Sequence, residues 1–329
     1  ANNTAVGQSA LKANTTGASN TAIGSSALFS NTTANNNTSI GVASMFANET
    51  GADNVAIGQE ALSANITGSS NTAVGVNALD LNTSASNNTA VGKDSLKANT
   101  TGTENVAVGG LCLDANTTAS NNVGMGYGAL TSSTTGNKNT AIGDRSLVAN
   151  TSGANNTALG ENAGGGITTG SNNILLGRSA GTSSSPTGGL TTDNNRICLG
   201  NNSNDLLACK VSLTVSSDKR DKTDITDFTH GLSWITKLRP VTYKWDMRSN
   251  YEDGVSDGSK KEEKLNLGFI AQEELEIEKE HGFANNKNDM LLVNENSEGN
   301  YGMQYDRLVP ILVNSIKELS AKVTALEAG

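Results

Sequence analysis

The sequence lacks the residues that fill an ordinary globular core, since only 4% of its 329 residues are aromatic and only 17% are charged. A conventional enzyme of this size needs more large side chains than that, and a simply disordered chain carries more charge and proline. The net charge of −9 argues against nucleic acid as a partner. No apolar run is long enough for membrane insertion. What remains is a thin, regular structure with small residues inside.

Cysteine is also scarce, and the three cysteines have no spacing typical of a zinc site. Their odd number suits no disulfide framework. We therefore expect Cys112, Cys198 and Cys209 to be reduced and mostly buried. The sequence predicts neither a metal nor a cofactor.

Glycine is abundant, with 36 residues, and many of them belong to one short repeat. A glycine recurs every 17 residues without an insertion, which excludes a collagen period. An Asn stands four residues before each of these glycines, an apolar residue stands directly before it, and Leu or Met follows four residues later in nine units. The repeated glycines are Gly7, Gly24, Gly41, Gly58, Gly75, Gly92, Gly109, Gly126, Gly143, Gly160 and Gly177. The chain begins inside a repeat, so we expect further sequence before it.

A fixed short period predicts a β-solenoid, in which each repeat forms one coil that packs on its neighbours. A repeat of this length can hold two short strands and two turns. Stacking would place Asn over Asn and Val or Ile over Val or Ile, which predicts an amide ladder and a narrow apolar spine. We expect a positive φ or a close approach at the strand glycine. The turn position, Gly17 in one unit and Ala34 in the next, is expected to take two local forms.

One coil buries little apolar surface by itself, so the repeat predicts a homotrimer whose three chains share the spine. The motifs NTAVG, NTAIG and NVAIG resemble the head repeats of trimeric autotransporter adhesins, whose usual unit is shorter. This resemblance covers about residues 1–181 and implies a left-handed β-roll. The Thr and Asn faces could bind ice, a glycan or a host cell-surface receptor. Alternatively, they only solvate the rod and build ladders.

The composition changes near residue 200, which predicts two domains. Residues 1–200 contain 7 basic and 10 acidic residues, whereas residues 201–329 contain 16 and 22, together with both tryptophans and both histidines. We assign residues 1–200 to β-solenoid fibre repeats, 201–216 to a linker and 217–329 to a folded α+β domain.

Four motifs in this second region occur in the order typical of one family. They are SDKRDK at 217–222, LRPVTYKW at 238–245, GFIAQEE at 268–274 and YDRLVPILVNSIKEL at 305–319. Together they resemble the peptidase S74 domain, the endosialidase-type intramolecular chaperone of phage tail fibres and tailspikes, over about residues 216–327. The sequence departs from the family pattern at Glu274, where an apolar residue is usual, and at Asp224, where Asn is usual.

The resemblance implies self-cleavage by a Ser–Lys dyad, with Ser217 as nucleophile, Lys222 as general base and Ser217–Asp218 as the bond that is cut. Asp218 and Arg220 are candidates for orienting the site or stabilising the oxyanion. A serine hydroxyl needs an adjacent base, and lysine serves as one only when desolvation or a nearby cation favours its neutral form. A Ser-x4-Lys spacing alone would indicate nothing more than surface charge.

The remaining features of this domain have structural interpretations. His230 and His281 have no nucleophile-elbow motif near the serine, so we interpret them as surface or loop residues rather than as part of a triad. Residues 246–265 read as an exposed loop between strands. The large apolar side chains expected in the core are Trp234, Leu238, Trp245, Phe269 and Ile270.

The last segment predicts a coiled-coil helix over residues 306–327. Its apolar residues repeat in steps of four and three, which is a heptad seam, and Asp306 is placed to cap the helix. We interpret this seam as the interface of the trimer. The seam residues are Tyr305, Val309, Leu312, Ile316, Leu319, Val323 and Leu326.

These observations together predict the distal part of a trimeric phage tail fibre, located in the virion and folded in the host cytoplasm before assembly. The alternative is a cell-surface trimeric adhesin with the same repeats and chaperone domain. A glycan-degrading tailspike is disfavoured, because such an enzyme needs paired carboxylates and the acidic residues of the repeats are few and scattered.

Overall fold

The computed structural model describes residues 2–185, 188–204, 207–208, 210 and 215–329. The chain divides into two compact units, residues 1–203 and 204–329. Seven of the 16 residues of the predicted linker 201–216, Cys209 among them, lie outside the described residues.

The first unit is a β-solenoid with a single sheet of twelve parallel strands, each three residues long. Sequence neighbours are also neighbours in the sheet, and Thr4 pairs with Thr21, its equivalent in the next coil. The prediction of a solenoid built from these short repeats is confirmed, but each coil contains one strand rather than two. The strands are β1 Thr4–Val6, β2 Thr21–Ile23, β3 Thr38–Ile40, β4 Val55–Ile57, β5 Thr72–Val74, β6 Thr89–Val91, β7 Val106–Val108, β8 Val123–Met125, β9 Thr140–Ile142, β10 Thr157–Leu159, β11 Ile174–Leu176 and β12 Ile197–Leu199.

The core of the solenoid comes from three positions of the repeat. The middle residue of the strand, such as Ala22, and the residues three and four positions after the glycine, such as Ala27 and Leu28, are fully buried. Successive strand residues point to opposite faces, so the apolar residue directly before the glycine points outward. Ile23 is 38% exposed for this reason. The predicted spine of Val and Ile is therefore not the core of a single chain.

Asparagine forms two buried columns along the coils. In the column that the sequence predicts, Asn88 Oδ1 accepts the backbone N–H of Asn105 at 3.0 Å and Asn88 Nδ2 donates to Gly102 O at 2.9 Å. A second column, which the sequence interpretation missed, links side chains directly, with Asn99 Nδ2 donating to Asn82 Oδ1 at 2.9 Å. Each amide satisfies backbone groups that would otherwise be buried without a partner.

The repeated strand glycine has a positive φ, as predicted. At Gly24 φ is 134°, and a Cβ there would lie 2.4 Å from the carbonyl oxygen of Gly41. The turn position behaves differently from the prediction, because the left-handed residue comes two positions later, at Ser19 after a Gly and at Asn36 after an Ala. Both kinds of unit share this feature, so the expected two forms of the turn are not seen.

The solenoid ends in a longer coil, in which β11 pairs with β12 and Ile174 lies beside Ile197. The buried Leu is missing at Gly164 and Gly181, and its space is taken by other side chains. A Cβ on Gly164 would lie 2.6 Å from Leu175 Cδ1, and one on Gly181 would lie 2.4 Å from Leu175 Cδ2. Leu175 replaces the usual strand Ala and fills the core from the opposite side of the coil.

The second unit is a small α+β domain that ends in a long helix, as predicted. Its two sheets are antiparallel pairs, β13 with β14 and β15 with β16. Short 3₁₀ turns cover Lys219–Asp221, Arg248–Asn250 and Tyr305–Arg307. The regular elements are α1 Leu232–Ile235, β13 Val241–Tyr243, β14 Asn266–Gly268, α2 Ala271–Glu280, β15 Val293–Glu295, β16 Tyr301–Met303 and α3 Leu308–Glu327.

Trp234 is the centre of this domain and is fully buried, as predicted. The prediction was wrong for Trp245, which is 46% exposed, and for Ile270, which is also exposed. His281 is not a free surface residue, since its ring stacks on Trp234 with centroids 4.6 Å apart, and His230 packs edge-on against His281.

Helix α3 begins at Leu308, two residues after the predicted start. Asp306 lies in the preceding 3₁₀ turn, and no side chain caps α3, so the predicted cap is wrong. The helix buries Leu308 and Ile311 against the domain and leaves the heptad seam outside, with Ile316 65% exposed. Among the described residues, no helix has both the length and the apolar character needed to cross a membrane.

Candidate functional site

The candidate site is built on a tight turn at the start of the second unit. Asp218 caps the 3₁₀ turn Lys219–Asp221, and its Oδ1 accepts the backbone N–H of Arg220 at 2.9 Å. The backbone N–H of Lys222 then donates to Lys219 O at 3.2 Å and closes the turn. Short polar side chains such as Asp cap turns well because they satisfy backbone donors that the turn leaves free.

This turn brings Ser217 and Lys222 together. Lys222 Nζ donates to Ser217 Oγ at 2.6 Å, although five residues separate the two in sequence. A nucleophile and its base must lie within hydrogen-bond reach, and this pair meets that condition. The arrangement is therefore chemically competent for proton transfer once the lysine is neutral.

Asp218 and Arg220 bind each other beside the dyad. Arg220 Nε donates to both carboxylate oxygens of Asp218 at 3.1 Å, and Nη2 donates to Oδ2 at 2.6 Å. The hydrogen bonds from Arg220 lower the pKa of Asp218, and the same contact raises the pKa of Arg220. Both groups are thus ionised at neutral pH. In this conformation they hold the turn, and the charge of Arg220 is balanced by Asp218.

Both members of the dyad are exposed in the single chain. A lysine acts as a base only when its environment disfavours the ammonium form, and desolvation is the strongest way to do this. Arg220 is already paired, so it is a weak source of the required positive field. The turn supplies the geometry of the pair but leaves Lys222 exposed to solvent.

The unusual Glu274 lies on α2, deep in the domain rather than at the dyad. It is only 1% exposed, its Oε1 accepts Trp234 Nε1–H at 2.7 Å, and its Oε2 has no hydrogen-bond partner among the described residues. The pKa of Glu274 is raised to about 7, mainly by burial; the hydrogen bond from Trp234 lowers it and the nearby Glu278 raises it by smaller amounts. The indole N–H of Trp234 explains how a polar residue is tolerated at this apolar position.

Glu278, one turn further along α2, is buried for a different purpose. Its carboxylate accepts the backbone N–H groups of Leu291, Leu292 and Val293 at 2.7–2.8 Å. These bonds anchor the loop before β15 to α2. The sequence interpretation missed this role of Glu278. The only sign of it in the sequence is an acidic residue among the apolar positions of a short helix.

Helix α3 is tied to the segment that follows the dyad. Asn314 Nδ2 donates to Phe228 O at 2.5 Å, and Glu318 Oε2 accepts the Leu232 N–H at the start of α1 at 3.1 Å. Gly231 allows this approach, because a Cβ there would lie 2.3 Å from Glu318 Oε1. The sequence interpretation missed both helix residues, which lie opposite the heptad seam.

Asp224, the second position at which the sequence departs from the family pattern, is exposed and has a φ of 52°. Asn and Asp both tolerate this left-handed conformation better than most residues, so the replacement of Asn keeps the local backbone.

Elsewhere in the described ranges, no group of three or more His, Cys, Asp or Glu side chains is placed to hold a metal ion.

Residues 217–283 match the peptidase S74 family, described as the chaperone of endosialidase. The match begins at Ser217 and continues through α2, which confirms the predicted resemblance for the first three motifs; the motif at 305–319 lies beyond the matched residues. It supports a role for this domain in assembling a trimeric fibre or adhesin. Comparison with curated proteins and with solved structures gives no significant match. The likeness of the repeats to autotransporter heads remains a prediction.

Proposed function

We propose that this chain is the distal part of a trimeric phage tail fibre, whose C-terminal domain assembles three chains and then cuts itself off at Ser217–Asp218. The observation that carries the cleavage is the 2.6 Å contact between Lys222 Nζ and Ser217 Oγ, at the first residues of the family match. Lys222 would take the hydroxyl proton as general base, and Ser217 would act as nucleophile.

Two uncovered apolar surfaces support a trimer. On the solenoid, the residue before each strand glycine forms an outward column, and Val6 and Leu159 are among its exposed members. On α3, the seam from Val309 to Leu326 is exposed along the helix. Each surface runs along the length of its own unit, the solenoid or α3, and a threefold assembly would cover each with the equivalent surfaces of other copies.

The need for a chaperone follows from the regularity of the solenoid. Every coil offers nearly the same column of residues, so three chains that slip by one whole coil lose contacts only at their ends. The second unit has no such repeat, and its contacts define a single arrangement. Starting the trimer from this unit would set the register, and cutting afterwards would leave the fibre kinetically trapped.

The cleavage is tested on the purified chain by denaturing electrophoresis and mass spectrometry of the fragments. We expect a fragment that ends at Ser217 and another that begins at Asp218, and Ser217→Ala should abolish both. Ser216→Ala is the matched control, because it alters the exposed neighbour and leaves the dyad intact. A Ser217→Ala chain that is cut at the normal rate would contradict the proposal.

Assembly is tested separately by truncation. A chain that ends at residue 216 should yield little soluble trimer in analytical ultracentrifugation, whereas the uncut Ser217→Ala chain should form trimers. Equal yields from both chains would refute the chaperone role.

The proposed location in the virion predicts that the fragment ending at Ser217 is found in purified phage particles. Its recovery from a bacterial cell surface would favour the adhesin instead.

A further inference from the structure

The proposed cut raises a question of covalent geometry, because the nucleophile and the carbonyl to be attacked belong to the same residue. Oγ, Cβ, Cα and the carbonyl carbon of Ser217 are consecutive atoms. A bond from Oγ to this carbon would close a four-membered ring, with angles forced to about 90° instead of the ordinary value near 110°. Angle strain grows roughly as the square of the deviation, so this path is closed under mild conditions.

We propose that Ser217 Oγ of one chain attacks the carbonyl carbon of Ser217 in a second copy of this chain. This inference rests on the proposed function, since it takes the cut at Ser217–Asp218 as its starting point. An attack from another chain has no ring to close and can approach the carbonyl along an unstrained line. Each copy in a threefold assembly could then cut the next one.

The structure shows a dyad that is suited to such an attack. Ser217 and Lys222 of one chain are already in contact, so one chain supplies both nucleophile and base. The pair is exposed, so a second chain has access to Ser217 Oγ. The Asp218–Arg220 pair fixes the turn that directly follows the bond to be cut. A neighbouring chain that covers the dyad would also exclude water from Lys222, which the single chain does not do.

The step balances without an added reagent except water. Neutral Lys222 takes the proton of the Ser217 hydroxyl, and Oγ bonds to the carbonyl carbon of Ser217 in the second copy. The C–N bond to Asp218 of that copy breaks, and its nitrogen takes the proton from the Lys222 ammonium. Water then hydrolyses the ester that links the two chains, which leaves a carboxyl group at Ser217 of the cut chain and restores the hydroxyl of the attacking chain.

Within one chain, Ser217 Oγ has an unstrained path only to the carbonyl of a different bond. Ser217 Oγ can reach the carbonyl of Ser216 through a five-membered ring, and hydrolysis of that ester would release a domain that begins at Ser217. The first residue of the released domain therefore separates the two paths. A domain that begins at Ser217 would overturn the proposal.

The decisive experiment uses mixed trimers of full-length chains. A Ser217→Ala chain with an affinity tag is co-expressed with the untagged wild-type chain, and trimers are purified through the tag. Native mass spectrometry identifies the trimers that contain both chains. We expect the Ser217→Ala chain, which is intact when expressed alone, to be cut between residues 217 and 218 in these mixed trimers.

A second mixture tests whether one chain supplies the whole dyad. Ser217→Ala chains combined with Lys222→Ala chains contain no chain with both residues, so we expect both to stay intact. Cutting in this mixture would show that serine and lysine come from different chains and would overturn the intrachain dyad.

The outcomes also separate this inference from the proposed function. If wild-type chains are cut in mixed trimers and the Ser217→Ala chains beside them remain whole, the attack occurs within one chain. In that case the inference fails, while the proposed cleavage stands. If wild-type trimers are never cut, the proposed cleavage fails, and the inference fails with it.

Discussion

The two units of this chain gain their structure in opposite ways. In the solenoid, each side chain meets its equivalent 17 residues away, as in the pairing of Asn99 with Asn82. In the C-terminal unit the contacts are unique and distant, as in Trp234 with Glu274 and Leu232 with Glu318, which lie 40 and 86 residues apart. Repetition gives a regular solenoid in which every coil presents nearly the same outward surface. The distant contacts define one arrangement, which is what an assembly domain requires.

The units also differ in what they bury. The solenoid encloses Ala, Leu and hydrogen-bonded Asn, so its interior contains few groups that titrate. The C-terminal unit encloses an aromatic cluster with the two carboxyl groups of Glu274 and Glu278. This contrast predicts that backbone and amide changes damage the rod, whereas pH acts on the assembly domain.

The largest effect is expected from Gly92→Ala in the middle of the solenoid. Gly92 has a φ of 136°, and a Cβ would lie 2.5 Å from Gly109 O, so the two coils would have to separate. We expect a loss of about 4 kcal/mol or more in unfolding free energy. Circular dichroism during thermal or denaturant unfolding measures it. Gly110→Ala is the control, since its Cβ would meet only ordinary contacts with Tyr127 at 3.5 Å. Equal stability of the two variants would contradict this account.

The next effect is the pH dependence caused by Glu274. Its pKa rises from an ordinary value of 4.5 to about 7 in the folded state, because burial disfavours the carboxylate. Between these values the folded domain holds a proton that the unfolded chain has released. The stability from this group is therefore full below pH 4.5 and is lost as pH rises through 7. The difference reaches about 3 kcal/mol at most.

Glu274→Gln tests this effect, because the amide is neutral at every pH and keeps the shape of the protonated acid. We expect the variant to match the wild type near pH 4 and to exceed its stability at pH 8. Tryptophan fluorescence during urea unfolding reports it, since both tryptophans, Trp234 and Trp245, lie in this unit. A stability difference that does not change between pH 4 and 8 would disprove the role of Glu274.

A smaller effect is expected from Asn88→Ala in the solenoid. The change leaves the buried N–H of Asn105 without its partner and removes one of the two amide donors to the carbonyl of Gly102, which keeps its bond from Asn99. We expect a loss of about 2 kcal/mol, measured by denaturant unfolding. Thr101→Ala removes an exposed side chain from a nearby turn and should change stability little. A similar loss in both variants would show that the ladder has no special part in stability.

The smallest effect is a gain from Glu104→Asn. Glu104 has a φ of 60° and is exposed, and Asn87 and Asn121 hold the same place in the adjacent coils. Asn tolerates this conformation better than Glu, so we expect a gain of about 0.5 kcal/mol. A rise in the thermal midpoint checks it. Glu49→Asn, at an exposed position without a positive φ, should give no such gain.

The sequence determined the features of the solenoid that depend only on its period. Because equivalent residues stack, the Gly and the Asn that recur at fixed places in every repeat were enough to predict the coils, the Asn ladder and a positive φ or close approach at the strand glycine, as seen at Gly24. In the second unit, the motifs indicated the family and the residues of the dyad.

Only the tertiary structure decided which way the side chains point and which distant groups meet. The outward direction of Ile23 depends on which face of the strand packs against Leu28 in the core. A strand of three residues is too short to show an alternation of apolar and polar residues in the sequence. The burial of Glu274 depends on a Trp 40 residues away. The meeting of Ser217 with Lys222 depends on a turn capped by Asp218. Period and motif specify which residues are equivalent, and the packing of the whole chain decides what each of them contacts.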